Sequence, residues 1–548
     1  MGSRYVTLAP FEQRFSLPSS KSYANRLLLL AALVKNDVIL KNMPLAQDVL
    51  DLMKSLRTLG IKVSEVIGEA GSIKIEGSFP ECESHLPAGP IRIESGEGGT
   101  TNRFLLAMLA LGKKSYEVIP HERLLQRPFA EFLQQLTDLG VKAEKRDKSF
   151  FIQGPFLGSS VEVDCWRSTQ FYSALKMVLG LHGVEVKSRN VQASADYIQL
   201  TDHLLEQFLA LTPGETAEFF VPIDFSSLSY PVALALIVGR VEIENCHQVD
   251  PFQADSAFLD LVQRIGGKFS FEGQPPRLVV EKTSPLAPFE YDVSRSPDLF
   301  PTLCYLASFC PGRSVLKNLE VLRYKESDRW QSCLDILDHF GVSYESHHSP
   351  DSQLVILGKK REEYQSVYEH EISVPHDHRL VMMAYLFLRT LGGGSLAPAE
   401  AVQKSFPQFF SLMEGKNDQD VKSRLEEKLT KLQSLKVVLL HDWLNGFRGG
   451  ERVLEVFAEM FPQAPLYTLF YTQGSTSDTI EDRKIVASGL NSLPMVQKQY
   501  RKLLPLYPWA TERIKITENE VDLVLSSSHC VIKGVKKGIG QKVVHIFV

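Results

Sequence analysis

Six apolar stretches, each opened by a short polar segment, constrain this 548-residue chain more than any other feature. All but the first stop at or just before a glycine, which is a common helix stop signal. A helix that is apolar all round must be covered on every side, so the pattern predicts six buried helices. With their polar openings, the stretches span 21–34, 100–112, 168–180, 226–239, 296–312 and 377–392.

Amphipathic helices and short strands fill the chain between the buried helices. Apolar residues at helical spacing predict amphipathic helices at 48–59, 129–139, 200–209, 255–265, 328–340 and 406–413, with Asp48 as the N-cap of the first. The buried helices start roughly 60 to 80 residues apart, which indicates a supersecondary repeat. We expect an α/β (α+β) fold of two groups of three units, with helices inside, sheets outside and the polar helix starts converging on a cleft.

Composition argues against several classes of protein. The chain is 44% hydrophobic and 23% charged, as in ordinary globular proteins. No apolar run is as long as the roughly 18 residues that a membrane span needs. The first residues lack a signal-peptide pattern. Seven cysteines, none in a C-x-x-C pair, indicate reduced thiols in a cytoplasm. The net charge of −5 argues against nucleic acid held by bulk charge.

The polar helix openings are candidate anion sites. Lys21, Ser22 and Arg26 surround the first helix start, where free N–H groups and the helix dipole favour a phosphate or carboxylate. Taken singly, such segments have ordinary alternatives. Asp298 could cap its helix, 325–329 could be a solvated helix start, and 377–379 could be a cap with surface cations.

The last part of the chain has a different pattern. Residues 415–435 are highly charged and predict a surface helix or linker. The following residues, 436–548, predict part of a parallel α/β domain. The predicted elements are a buried strand at 437–440, a loop at 441–450, an amphipathic helix at 451–461, and strands at 466–471, 521–525 and 543–548.

Nine short segments of the first 414 residues occur in an order typical of one enzyme family. They are 17–26 (LPSSKSYANR), 98–103 (GGTTNR), 126–128 (QRP), 168–171 (STQF), 224–227 (DFSS), 297–298 (PD), 323–329 (RYKESDR), 377–379 (DHR) and 404–407 (KSFP). In identity and order they resemble the 3-phosphoshikimate 1-carboxyvinyltransferase (EPSP synthase) family of the shikimate pathway.

The resemblance implies a two-domain enolpyruvyl transferase fold with three βαβαββ units in each domain. Residues 1–18 and 222–414 would form one domain and 19–221 the other. The implied reaction transfers the enolpyruvyl group of phosphoenolpyruvate to the 5-hydroxyl of shikimate 3-phosphate and releases phosphate. The implied partners are these two small molecules, with no cofactor, metal, nucleic acid or membrane, and a cytoplasmic monomer is expected.

The matched positions supply an implied site. Asp298 would take the 5-hydroxyl proton, Glu326 would serve proton transfer at C3, and Lys21 would assist. The implied ligands of shikimate 3-phosphate are Lys21, Ser22, Arg26, Ser168, Thr169, Gln170, Ser194, Tyr197, Asp298 and Lys325. The implied ligands of phosphoenolpyruvate are Lys21, Gly99, Arg127, Gln170, Arg329, Arg379 and Lys404.

Two positions depart from the family pattern. Glu97 stands where the family commonly has Asn, and its carboxylate would repel an anionic ligand unless it pairs with a cation such as Arg127. Val321 stands where some members place an Asn, which puts one contact to the shikimate side in doubt.

Other functions remain open at this point. A non-catalytic homologue could keep the fold and only bind anions. The sister transferases that act on UDP-N-acetylglucosamine are another alternative, but many of them carry a cysteine in the loop at 121–126, which has none here. RNA 3′-terminal phosphate cyclases share a related repeat, but the context of their nucleotide-accepting histidine is not evident.

The tail carries a second resemblance. Segments 441–444 (HDWL), 448–451 (RGGE) and 526–530 (SSSHC) resemble the N-terminal half of a GT-B glycosyltransferase of family 4, over about 110 residues. In that family the donor sugar nucleotide sits mainly on the second half, so no glycosyl transfer is expected from this segment alone. The glycines at 449–450 could bind an anion or form a plain turn.

Overall fold

The computed structural model divides the chain into two compact units, Met1–Lys416 and Asn417–Val548. The structure describes residues 2–127, 129–165, 169–191, 196–348, 352–365, 370–415, 435–446, 449–493, 500–516, 521–527, 532, 535 and 542–546. Most of the predicted linker helix at 415–435 therefore lies outside the described residues.

The first unit contains both predicted classes of helix. The buried helices are α1 (Lys21–Ala31), α3 (Gly99–Leu109), α6 (Gln170–Gly180), α8 (Phe225–Val238), α10 (Phe300–Ser308) and α12 (His378–Leu391). The remaining helices are α2 (Gln47–Thr58), α4 (Glu122–Leu125), α5 (Ala130–Asp138), α7 (Asp196–Leu209), α9 (Ala257–Arg264), α11 (Arg329–His339) and α13 (Phe409–Met413).

Among the described residues of the first unit, twenty-one strands form six small sheets. In the first half of the chain the strands are β1 (Arg4–Val6), β2 (Phe11–Phe15), β3 (Val38–Lys41), β4 (Lys62–Glu65), β5 (Ile73–Glu76), β6 (Ile91–Gly96), β7 (Ser115–Pro120), β8 (Lys142–Lys145), β9 (Phe150–Gln153), β10 (Ser160–Asp164), β11 (Glu185–Arg189) and β12 (Ala217–Phe220). The others are β13 (Gly239–Ile243), β14 (Phe269–Glu272), β15 (Arg277–Glu281), β16 (Glu290–Asp292), β17 (Gly312–Lys317), β18 (Ser343–His347), β19 (Gln353–Gly358), β20 (His370–Ser373) and β21 (Gly394–Ala397).

Four of the six sheets share one pattern. Their strand orders are β12-β3-β5-β4, β6-β7-β9-β8, β14-β15-β13-β2 and β16-β17-β19-β18. In each, one parallel pair is extended by antiparallel pairs, for example β6 with β7 in parallel and β7 with β9 antiparallel. The two smaller sheets are β10-β11 and β1-β21-β20. Recurrence of one sheet pattern is what the sequence repeat predicts.

The buried apolar residues of the first unit form two clusters. One cluster draws on residues 23–221, and we call this part of the chain the first lobe. The other draws on residues 6–17 and 223–413, and we call it the second lobe. The clusters use the same parts of the chain as the predicted domains, whose boundaries stay a prediction.

The six apolar helices lie inside these clusters. All fourteen residues of α12 are buried, and so are thirteen of the fourteen in α8. Since such a helix has no polar face to turn to water, it can be stable only with neighbours on every side.

Two local expectations are corrected. The expected loop at 121–126 contains the short helix α4. Asp48 is not an N-cap: Ala46 holds that position, and the Asp48 side chain is engaged elsewhere.

The second unit contains a five-stranded sheet in the order β24-β23-β22-β25-β26, in which every pairing is parallel. Its strands are β22 (Val437–His441), β23 (Leu466–Thr468), β24 (Ile485–Ala487), β25 (Leu523–Ser527) and β26 (Lys542–Ile546), and its helices are α14 (Gly449–Met460), α15 (Asp478–Glu481) and α16 (Tyr507–Arg513). Every residue of β22 is buried. A central strand covered on both faces explains why its sequence is apolar without alternation.

Candidate active site

A cleft of about 1420 Å³, counting space open to solvent, lies in the first unit and is lined by both lobes. The starts of all six buried helices border it. Residues at these starts are Lys21 of α1, Gly99 of α3, Gln170 of α6, Ser226 of α8, Asp298 just before α10, and Arg379 of α12. The first turns of helices carry unpaired N–H groups and partial positive charge, so their convergence favours an anionic ligand.

Most of the predicted site residues meet in this cleft. Those that line it are Lys21, Ser22, Arg26, Gly99, Arg127, Thr169, Gln170, Tyr197, Asp298, Lys325, Glu326 and Arg379. Arg329 and Lys404 do not line it, but both contact residues that do. Ser168 and Ser194 lie outside the described residues. Val321 lines the second-lobe wall.

Arg329 holds the two carboxylates predicted to move protons. Its Nη1 donates to Asp298 Oδ1 over 2.7 Å, its Nη2 donates to Glu326 Oε2, and its Nε donates to Asp377 Oδ2 over 2.8 Å. The Arg329 side chain is only 1% exposed. A planar guanidinium suits this arrangement because its donors point in fixed directions. Arg329 thus positions carboxylates here, and its direct contact with phosphoenolpyruvate stays a prediction.

Asp298 lies among three cations. Arg379 Nη2 donates to its Oδ2 over 2.9 Å, and Lys325 Nζ lies 3.7 Å from its Oδ1. Burial by itself would raise the pKa of Asp298, but Arg379, Lys325 and Arg329 outweigh it and hold the pKa well below its usual range. Asp298 is therefore ionised, and its side chain serves as an ion-pair partner rather than as a helix cap.

Glu326 faces cations from both lobes. Arg127 Nη2 lies 3.7 Å and Lys404 Nζ 3.8 Å from Glu326 Oε1. Burial would raise the pKa of Glu326, but Arg329, Lys404 and Arg127 hold it well below its usual range. Because Arg127 belongs to the first lobe and Glu326 to the second, this contact crosses the cleft.

Glu97 has a different partner from the one expected. Its Oε1 lies 3.6 Å from Lys404 Nζ, so the lysine of the second lobe, and not Arg127, is the cation beside it. The ammonium of Lys404 stands between the carboxylates of Glu97 and Glu326. Glu97 thus neutralises part of the positive charge that an anionic ligand would meet there.

The first lobe holds two deeply buried arginines. Arg26 donates to Thr201 Oγ1 over 3.0 Å, and burial lowers its pKa to about 10. Arg103 donates to Gln170 Oε1 over 2.7 Å, and burial together with Arg127 lowers its pKa to about 9. Sequence reasoning assigned no role to Arg103, although it lies in the matched segment at 98–103.

Three buried carboxylates were also missed. Asp48 pairs with Lys21, while Asp224 and Asp255 lie in the second-lobe wall. Asp224 caps α8 by accepting the Ser226 N–H over 3.3 Å. Burial raises the pKa of Asp255 to about 7, helped by the nearby charge of Asp298. Asp224 lies in the matched segment at 224–227, but Asp48 and Asp255 lie on amphipathic stretches that gave no functional signal.

Asp377 is the helix cap that one alternative for 377–379 expected, but the adjacent Arg379 is buried and is not a surface cation. The Asp377 carboxylate accepts the Arg379 N–H over 3.0 Å as the cap of α12 and also accepts from Arg329. The adjacent His378 is 1% exposed, and burial with Arg379 and Lys21 holds its pKa well below its usual range. Among the described residues, no group of three or more His, Cys, Asp or Glu side chains could hold a metal ion.

Comparisons with known proteins cover the same part of the chain. A sequence profile described as EPSP synthase (3-phosphoshikimate 1-carboxyvinyltransferase) matches residues 8–413. The chain belongs to the EPSP synthase family. A 3-phosphoshikimate 1-carboxyvinyltransferase from Pyrococcus abyssi is 30% identical over 406 residues, which is 72% of this chain and 92% of the relative. One from Syntrophobacter fumaroxidans is 29% identical, covering 74% of this chain and 97% of the relative.

Solved structures show that the fold is that of enolpyruvyl transferases. An EPSP synthase from Acinetobacter baumannii superposes with a TM-score of 0.61 at 21% identity, over 76% of this chain and 98% of that one. The enolpyruvyl transferase NikO from Streptomyces tendae superposes with a TM-score of 0.55 at 12% identity, over 75% of this chain and 96% of that one.

The family match ends at residue 413 and so covers only the first unit. The glycosyltransferase resemblance of the second unit is not supported by these comparisons and stays a prediction. No helix among the described residues is long and apolar enough to cross a membrane.

Proposed function

We propose that this EPSP synthase family member transfers the enolpyruvyl group of phosphoenolpyruvate to the 5-hydroxyl of shikimate 3-phosphate and releases phosphate. One observation carries the proposal. The guanidinium of Arg329 holds the carboxylates of Asp298 and Glu326 together at the wall of a cleft that is lined by cations of both lobes.

The charge of the cleft matches the charge of the two substrates. Each substrate carries about −2.5 to −3 at neutral pH, from a carboxylate and a phosphate whose second pKa is near 6. Lys21 and Arg127 line the cleft from the first lobe, and Lys325 and Arg379 from the second. Charge-assisted hydrogen bonds to such groups are worth on the order of 1.5–3 kcal/mol each. This group of cations suits a highly anionic ligand.

The family resemblance divides these residues between the substrates. For phosphoenolpyruvate we assign Lys21, Gly99, Arg127, Gln170 and Arg379, with Lys404 and Arg329 behind them. For shikimate 3-phosphate we assign Lys21, Ser22, Arg26, Thr169, Gln170, Tyr197, Asp298 and Lys325, together with Ser168 and Ser194.

The proposed reaction is an addition followed by an elimination. Asp298 accepts the 5-hydroxyl proton while the hydroxyl oxygen bonds to C2 of the enol, and Glu326 delivers a proton to C3. The resulting tetrahedral intermediate then loses its phosphate: the bond between C2 and the bridging phosphate oxygen breaks, a C3 proton returns to Glu326, and the proton held by Asp298 passes to the leaving phosphate. No oxidant or reductant is needed, and the phosphate leaves as the only small product.

Substrate binding is expected to adjust both carboxylates. A group with a pKa well below its usual range is a weak base and cannot donate a proton near neutral pH. Two polyanions placed beside Asp298 and Glu326 oppose the cations that depress the pKa of each. We therefore expect both pKa values to rise when the two substrates bind, which limits proton transfer to the ternary complex.

The first test is phosphate release from the full chain with both substrates, and with each alone. Release should require both. Asp298→Asn and Glu326→Gln should each lower kcat by roughly 10²- to 10⁴-fold, because each removes a proton-transfer group. Glu320→Gln is the matched control, since this carboxylate lies at the surface, 58% exposed, on the segment that leads to Glu326.

Other outcomes of this assay distinguish the alternatives. Release with UDP-N-acetylglucosamine in place of shikimate 3-phosphate would identify the other acceptor. Binding of both anions by calorimetry without phosphate release would favour a non-catalytic homologue. Full activity of Asp298→Asn would contradict the assigned proton acceptor.

We infer for the second unit an N-terminal GT-B-like half. The support is the resemblance of 441–444 and 448–451, together with a fully parallel sheet, a feature that many α/β folds share. Glycosyl transfer is not proposed for it. A cytoplasmic location and a monomeric state likewise stay predictions.

A further inference from the structure

Asp48 forms an ion pair inside the cleft that sequence reasoning did not foresee. Its Oδ2 lies 2.9 Å from Lys21 Nζ. The side chains are 4% and 19% exposed, respectively, and both residues line the cleft. A buried, hydrogen-bonded pair of this kind is much more constrained than one at the surface.

The position of Asp48 on its helix does not account for this burial. The residue lies in the first turn of α2, where a carboxylate interacts favourably with the helix dipole even when solvated. It does not cap the helix, because Ala46 occupies the cap. The carboxylate points instead to the neighbouring helix start, at Lys21.

The neighbouring loop leaves room for this carboxylate. A Cβ added to Gly98 would lie 2.9 Å from Asp48 Cγ, closer than real Cβ contacts, and 3.0 Å from Asp48 Oδ1, which is tighter than most of them. Thr101 Oγ1 donates to the Asp48 carbonyl oxygen over 3.0 Å, which ties α2 to the start of α3. Within the described part of the chain, Asp48 Oδ1 is buried with no hydrogen-bond partner. The side chain is thus fixed with one oxygen on Lys21.

The charges around Lys21 explain why it needs a partner. Burial lowers the pKa of Lys21, and Arg379 lowers it further, while Asp48 and Glu326 raise it; the balance leaves the pKa above its ordinary value. Glu326 is shared among Arg329, Arg127 and Lys404. Asp48 is therefore the carboxylate that is dedicated to Lys21 among the groups that face it.

We propose that Asp48 is a positioning residue that holds the Lys21 ammonium, in charged form and fixed direction, between the two substrates of the transfer reaction. It acts through Lys21 and does not itself touch a reacting atom. The inference rests on the proposed function for its effect on turnover, but the ion pair can be measured without turnover.

The test compares Asp48→Asn, which keeps the size of the side chain and removes its charge, with the native chain. We expect kcat/KM to fall by about ten- to a hundred-fold, the scale of a small misplacement of a reacting group. The alkaline limb of the pH profile should move to lower pH, since Lys21 loses a group that raises its pKa. Asp48→Glu should recover part of both effects, and Asp51→Asn, on the same helix, is the control.

A double-mutant cycle tests whether Asp48 acts through Lys21. In a Lys21→Ala background, Asp48→Asn should cause little further loss, because the interaction has already been removed. Additive losses in the cycle, or an unchanged pH profile in Asp48→Asn, would overturn the inference.

A second readout separates this inference from the proposed function. Acetic anhydride labels only neutral amines, so labelling at a series of pH values, read by mass spectrometry, reports the titration of Lys21 directly. In Asp48→Asn the midpoint of Lys21 labelling should move to lower pH. If Asp48→Asn does not fold, Gly98→Ala takes its place, because it crowds Asp48 and should move the midpoint in the same direction. A shifted midpoint in a chain without phosphate release would reject only the function, and an unshifted midpoint in an active chain would reject only the role of Asp48.

Discussion

At the scale of single residues, several cations of the cleft each face a carboxylate. Lys21 pairs with Asp48 over 2.9 Å, and Arg379 pairs with Asp298 over 2.9 Å. Removing one member of such a buried pair leaves the other uncompensated, which is more damaging than loss of the contact alone. The network therefore keeps a dense group of cations folded and ready for an anionic ligand.

Gly99 shows how tightly the backbone approaches these cations. A Cβ at this position would lie 2.5 Å from Arg127 Nη1 and 2.8 Å from Arg103 Nη1. Both are ends of long side chains that can move, so Gly99→Ala should fold. Displacing Arg127 should raise the KM for phosphoenolpyruvate by roughly ten-fold, as expected for weakening one charge-assisted contact.

Steady-state kinetics with each substrate varied in turn would measure this effect. The KM for shikimate 3-phosphate should change much less, because Arg127 is assigned to the other substrate. Gly489→Ala is the control, since no described atom lies within 4 Å of its added Cβ. An unchanged KM for phosphoenolpyruvate would contradict the assignment of Arg127.

Among the elements, the buried helices combine two tasks. Their apolar bodies form the cores of the lobes, and their polar starts border the cleft. Caps hold several starts in place: Ser20 accepts from the Tyr23 N–H, and Asp377 accepts from the Arg379 N–H. The rigidity of the cleft thus depends on packing far from it.

The centre of α12 offers a test of that dependence. Leu386 is fully buried in the second-lobe core, so Leu386→Ala should lower the free energy of unfolding of this lobe by about 2–5 kcal/mol. Hydrogen exchange of peptides from residues 378–391 in urea, read by mass spectrometry, would separate this effect from the second unit. Leu50→Ala, at a 38% exposed position of α2, should cost much less, and equal losses would contradict the packing argument.

At the scale of the whole molecule, a buried carboxyl group of the cleft makes the free energy of unfolding depend on pH. Asp255 is buried with its pKa raised to about 7, near Asp298, Asp224 and Arg379. A carboxyl group whose pKa is higher in the folded than in the unfolded chain contributes stability that is fully present below about pH 4 and is lost as the pH rises through about 7.

Asp255→Asn should remove this loss. Relative to the native chain, the variant should gain stability between pH 5 and pH 8, by an amount on the order of a few kcal/mol. Urea unfolding of the first unit at pH 5 and at pH 8 would show the gain. It can be monitored by hydrogen exchange of peptides from residues 378–391, as for Leu386→Ala. Asp260→Asn, an exposed carboxylate on α9, should show none; a parallel pH dependence in Asp255→Asn and the native chain would contradict the raised pKa.

The sequence by itself determined the repeat, the buried and amphipathic helices, and most of the residues that meet in the cleft. These features depend on the spacing of apolar residues and on short segments, so they can be recognised locally. The family resemblance then brought Lys21, Asp298 and Arg379 into one predicted site, and the structure places all three on one cleft.

Only the tertiary structure decided which charges are partners. Asp48 looked like a helix cap but pairs with Lys21, Glu97 lies beside Lys404 rather than Arg127, and Arg329 holds carboxylates. The members of such pairs lie up to about 300 residues apart, and any of several nearby cations would satisfy the same carboxylate. Which one does so depends on how lobes and helix starts pack against each other, and no local pattern encodes that choice.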